Sequence, residues 1–88
     1  MIHLRELRVD NNLITSLDGI LQLDGLLKVS VKHNQINSLD FMGARLPHLE
    51  VLECQQNCIS MVEGLEELVC LMSLHLGMIL HDDVNDRR

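Results

Sequence analysis

The stretch "LLKVSVKHNQINSL", Leu26 to Leu39, has an apolar residue at offsets zero, three and five, an asparagine at offset eight and an isoleucine at offset ten. These are Leu26, Val29, Val31, Asn34 and Ile36. The same offsets are filled in "LRELRVDNNLITSL" by Leu4, Leu7, Val9, Asn12 and Ile14, and in "LEVLECQQNCISMV" by Leu49, Leu52, Cys54, Asn57 and Ile59. A fourth copy, "LMSLHLGMILHD", keeps Leu71, Leu74 and Leu76 but has Ile79 in the asparagine position and His81 in the isoleucine position. The copies start at residues 4, 26, 49 and 71, so they are spaced by 22, 23 and 22 residues. A near-constant period of this length marks a stacked array.

Offsets three and five, with polar residues between them, are the period-two signature of a strand with one buried face. A strand of this length cannot bury that face alone. Successive units must therefore stack with their strands parallel and about 4.8 Å apart. Asparagine at offset eight follows from the turn that leaves the strand, where buried backbone groups need partners that a side-chain amide can supply. Asn12, Asn34 and Asn57 are expected to form a structural ladder rather than a ligand site.

This pattern resembles the leucine-rich repeat, L-x-x-L-x-L-x-x-N-x-L, from Leu4 to about Leu76. The second halves "SLDGILQLDG" (Ser16 to Gly25) and "MVEGLEELVC" (Met61 to Cys70) resemble the x-x-L-x-G-L-x-x-L segment of the 22-residue intracellular subclass typified by a protein-phosphatase-1 regulatory subunit. The resemblance implies an α/β-type solenoid of about 3.5 to 4 repeats. Short parallel strands would line its concave side, with 3₁₀ turns, short helical turns or loops on its convex side. The expected organisation is a single domain over residues 1–88, with repeats 4–25, 26–48, 49–70 and a degenerate or truncated 71–88.

Two features depart from the pattern. The second unit is one residue longer, and its outer segment "SLDFMGARLPH" (Ser38 to His48) carries Pro47 in place of the Gly-Leu-x-x-Leu form, which predicts an altered outer turn. At the ends, Met1 to His3 offer no visible capping element, and the polar "HDDVNDRR" (His81 to Arg88) reads as a frayed tail or the first piece of a cap, although solenoids normally need caps. The chain therefore reads as a segment of a longer array, or as one whose ends another subunit covers. Isolated, it is expected to self-associate by edge pairing or by contact of Ile2, Leu4, Leu76, Ile79 and Leu80.

With one Phe and no Trp or Tyr, the core must be aliphatic. A net charge of −6 argues against a nucleic-acid backbone or an anionic membrane as the main ligand. The most apolar stretch, Val69 to Leu80, is interrupted by Ser73, His75 and Gly77 and is too short to span a bilayer. Three cysteines, an odd count, with no secretory leader pattern, point to an intracellular chain, cytoplasmic or nuclear. Cytoskeletal or ciliary placement is implied only by the resemblance.

Cys54 and Cys58 could be taken for metal ligands or a redox pair. Cys54, however, stands where Val9, Val31 and Leu76 stand in the other units, so it is expected in the core, with Cys58 at the turn surface. Cys70 is expected to be apolar filler. His33, His48 and His75 lie at no finger-like spacing from the thiols. Nothing in the chain makes a nucleophile with its base or a phosphate loop, so no catalytic, cofactor-binding or metal residues are assigned, no cofactor is implied, and the chain is not read as an enzyme.

Strand alternation does assign a candidate protein-binding surface on the concave side. Its rows are Glu6, Lys28, Val51, Ser73; Arg8, Ser30, Glu53, His75; and Asp10, Lys32, Gln55, with Gly77. Opposite charges are expected to meet at Glu6 with Lys28 and at Asp10 with Lys32. The function that fits is a non-catalytic protein-interaction module, an intracellular scaffold or regulatory subunit. The alternative is a structural spacer within a longer array.

Overall fold

The first three copies of the repeat each form one turn of a parallel-strand solenoid, the fourth adds a further strand, and they stack in chain order. The computed structural model describes residues 4–77. One face is a four-stranded sheet of β1 (Glu6–Arg8), β2 (Lys28–Ser30), β4 (Val51–Glu53) and β6 (Ser73–His75), in the order β1-β2-β4-β6. All three pairings are parallel and in one register, so that Leu7, Val29, Leu52 and Leu74 align as an inward row. These are the offset-three residues, and their branched aliphatic side chains suit a pleated, half-buried surface.

The strands end where the backbone turns left-handed. Asn11, His33 and Gln56, all at offset seven, have φ of 60°, 57° and 63°. Non-glycine residues rarely adopt this conformation, and short polar side chains tolerate it best. The asparagine that follows each of them then bonds back to backbone carbonyls of its own turn, and Asn34 and Asn57 also reach the turn before.

On the opposite side the first and third units form 3₁₀ turns at Ile20–Gln22 and Leu65–Glu67, within the two segments that carry the Gly-x-x-x-Leu pattern. The second unit has a turn with Gly43 at φ 79° instead, as its irregular sequence predicts. Strands β3 (Ser38–Asp40) and β5 (Met61–Glu63) precede these turns and pair in parallel as a second, two-stranded sheet. This ladder has no periodic signature, because each strand has a single inward residue, Leu39 or Val62.

Between the two sheets lies an aliphatic core. Leu26, Val29, Val31, Ile36, Leu49, Leu52, Cys54 and Ile59 are at most 1% exposed, and Phe41 fills the remaining space in the second turn. Their counterparts in the outer units fare differently. Leu4 is 38% exposed, and Leu7, Val9, Ile14, Leu71, Leu74 and Leu76 are only half-buried. Burial thus depends on having a turn on both sides, as expected of a quasi-one-dimensional stack. The candidate capping segments Met1–His3 and His81–Arg88, and the contacts expected of Ile2, Ile79 and Leu80, lie outside the described residues.

Candidate interaction surface

The residues that alternate outward from the four-stranded sheet stand in the rows set by the register. Glu6, Lys28, Val51 and Ser73 are aligned partners, as are Arg8, Ser30, Glu53 and His75. Asp10, Lys32 and Gln55 continue the face just beyond the strands, where Asn11 and His33 donate backbone hydrogen bonds to the Lys32 and Gln55 carbonyls. The face is therefore built from backbone pairing, and its side chains are free to differ from unit to unit.

Three of its members do other work than the sequence suggests. Ser30 is 1% exposed and belongs to the interior of the surface, not to its accessible area. Its hydroxyl donates to Asp10 Oδ1 at 2.7 Å, and the same oxygen accepts the Lys32 backbone N–H at 2.7 Å. A serine side chain is short enough for the neighbouring carboxylate to cover it. Asp10 thus meets the amide of Lys32, not its ammonium group. Burial opposes ionisation of Asp10, but the hydrogen bonds from Ser30 and Lys32, with the positive charges of Lys32 and Arg8, outweigh it and hold the carboxyl below its ordinary value.

The expected Glu6–Lys28 ion pair is also replaced. Glu6 Oε2 takes the Arg8 guanidinium at 2.9 Å within its own strand. Both side chains are well exposed, and such a pair is worth at most about 1 kcal/mol. The Lys32 ammonium lies 4.0 Å from Glu53 Oε1, and Ser73 Oγ shares a 2.8 Å hydrogen bond with His75 Nε2. Among the described residues Lys28 makes no ion pair. Its aligned neighbour Val51 is half-buried and has nothing polar to offer. Gln55 Oε1 is buried with no hydrogen-bond partner among the described residues, a local cost that no sequence signal marks.

The three asparagines lie at the turns that follow the strands, and Asn34 is buried there. Asn34 Oδ1 accepts the N–H groups of Asn12 and Ile14 at 3.0 and 3.1 Å, and its amide donates to the carbonyls of Val9, Val31 and Lys32. Asn57 Oδ1 accepts the Ile36 N–H at 3.0 Å, and its amide donates to Val31, Cys54 and Gln55. Each of these two binds its own turn and the turn before it. Asn12 is exposed, and among the described residues its amide bonds only to Val9 and Asp10 of its own turn.

The cysteines diverge. Cys54 is fully buried among aliphatic side chains, and burial pushes its thiol up to about 12. Cys58 is exposed at the turn. Cys70, expected as filler, is exposed as well, and so is Val69 before it, while Leu68 is the buried residue there. Among the described residues no three His, Cys, Asp or Glu side chains are grouped so as to hold a metal ion. Cavities of about 60 Å³, beside Ser16 and Asp40, and about 270 Å³, beside Arg45 and Glu67, are lined by no residue of the four-stranded face. No helix of the described residues is long and apolar enough to cross a membrane.

No family model, curated protein or solved structure matches the chain. Function is therefore read from the geometry of the face itself.

Proposed function

We propose that this chain is a non-catalytic protein-interaction module of the leucine-rich repeat kind, with the four-stranded face as its docking surface. The reading is supported most by Lys28 and Val51. They are aligned neighbours on the two central strands, and among the described residues they enter no ion pair or side-chain hydrogen bond, while the charges around them are paired or hydrogen-bonded internally. A cation with an apolar stem beside a half-buried valine suits a protein segment that brings a carboxylate next to an aliphatic side chain. The acidic balance of the chain as a whole, −6, leaves nucleic acid and anionic membranes as poor partners. An intracellular scaffold or regulatory subunit is the role this suits.

One observation favours the alternative of a structural spacer. Glu6 with Arg8, and Asp10 with Ser30 and the Lys32 amide, satisfy one another and leave little of the face seeking a partner. The variant Lys28→Gln separates the two readings, since it removes the charge and breaks no ion pair or side-chain hydrogen bond among the described residues. As a docking residue, Lys28 should hold partners that co-purify from cells less tightly when changed to Gln, and most clearly at low salt. Identical recovery at every salt concentration would favour the spacer.

A further inference from the structure

The two ends of the four-stranded sheet are complementary to each other, and we infer that a second copy of this chain docks head to tail, its β1 adding in parallel to β6. Among the described residues no strand pairs with the outer edge of β1 or of β6. In a parallel ladder alternate residues direct their N–H and C=O to opposite sides. Within β1 the inner side is used by the Arg5 carbonyl and the Val9 N–H, so Glu6 and Arg8 present their backbone groups outward. In the fourth turn the Ser73 N–H and the His75 carbonyl face the third turn. The outward groups there are the Met72 carbonyl, both groups of Leu74 and the Leu76 N–H.

Those two sets match in the register already used three times within the chain. The second copy's Glu6 would donate to Met72 and accept from Leu74, and its Arg8 would donate to Leu74 and accept from Leu76. The same register sets the second copy's Leu4, Leu7 and Val9 against Leu71, Leu74 and Leu76, the residues left half-buried or exposed by the stack. On the outer surface Glu6 would fall beside Ser73, Arg8 beside His75 and Asp10 beside Gly77, so no two like formal charges meet. This contact is heterologous: it leaves a free β1 at one end and a free β6 at the other, and it propagates instead of closing as a dimer.

The polarity gives the test. Arg8→Pro deletes an N–H that no described residue of the monomer accepts, and Leu74→Lys places a charge in the contact layer of the opposite end. In sedimentation of the 88-residue chain, the wild type should pass beyond the dimer as concentration rises. Each variant alone should stay monomeric. An equimolar mixture of the two should form a 1:1 dimer and stop there, since each supplies the edge the other lacks. A monomeric wild type, a wild type that stops at the dimer, or Arg8→Pro alone forming dimers would overturn the inference. Hydrogen exchange on the wild type reads the same edges without any substitution. The amides of Glu6, Arg8, Leu74 and Leu76 should slow by about tenfold or more between dilute and concentrated samples. Exchange at these four that is independent of concentration would also overturn it.

Discussion

Asn34 Oδ1 accepts the backbone N–H of Asn12 at 3.0 Å, across the boundary between two turns. The same side chain makes four further hydrogen bonds, to Ile14, Val9, Val31 and Lys32, and is 7% exposed. It replaces water for backbone groups of both turns. Asn12 makes the same bonds within its own turn but reaches no earlier one among the described residues, and it is exposed.

Asn34→Ala should therefore destabilise the fold by roughly 1 to 3 kcal/mol, because it strands buried donors and acceptors. Asn12→Ala should cost clearly less. Denaturant melts of the two variants check this, and equal effects would mean that the ladder does not join the turns.

Gly19 and Gly64 hold the same place in the first and third units, yet the structure treats them differently. Gly64 has φ of 78°, and a Cβ there would come within 2.7 Å of the Met42 nitrogen and 2.9 Å of the Phe41 carbonyl carbon. Gly19 has φ of −68° and open space around it. Gly64→Ala should cost roughly 2 to 4 kcal/mol, from left-handed strain plus backbone crowding. Gly19→Ala should be within about 0.5 kcal/mol of neutral. Thermal melts of the pair separate the two.

Cys54 and Cys58 should behave as a core residue and a surface thiol. Cys54→Val fills a buried strand position of similar size and should change stability by about 1 kcal/mol or less. With its thiol pushed up to about 12, Cys54 should resist a thiol reagent that labels Cys58 readily in the folded state. Zinc should leave the melting temperature unchanged. Equal labelling rates, or a stoichiometric cobalt complex of both thiols, would contradict this.

Asp10 adds a pH dependence of predictable sign. Its folded-state carboxyl titrates below the ordinary value of 3.8, so its contribution is fully present above that value and is lost as pH falls through the lower folded value. Asp10→Asn should therefore be less stable than wild type at neutral pH, and the gap should narrow on acidification below about pH 4. Urea melts along a pH series measure the gap. A constant difference would show that the Asp10 hydrogen bonds to Ser30 and Lys32 do not depend on its charge.

The strand-bearing half of each unit was legible because its constraints are local and periodic. Leu26, Val29 and Val31 announce a buried strand face, Asn34 the turn, and Cys54 its inward position by comparison with Val31. The outer half was less so. Ser38 to Asp40 and Met61 to Glu63 pair only because the turns stack, and a three-residue strand with one inward side chain has no period to read. Gly19 and Gly64 differ through what lies against them, which spacing cannot express. On the four-stranded face, alternation placed the rows, but side-chain geometry chose the partners. Arg8 is two residues from Glu6 and reaches it before Lys28 does, while Asp10 is short enough to cap the neighbouring turn and bury Ser30.

Site-specific photo-crosslinking in cells tests whether a protein docks on the four-stranded face. A crosslinker placed at Val51, on the face, should capture a discrete partner, and the adduct should diminish when Lys28 is changed to Gln. The same group at Glu66, on the exposed 3₁₀ turn of the opposite side, should not capture it. Adducts from Glu66 alone, or from both positions without discrimination, would contradict the account.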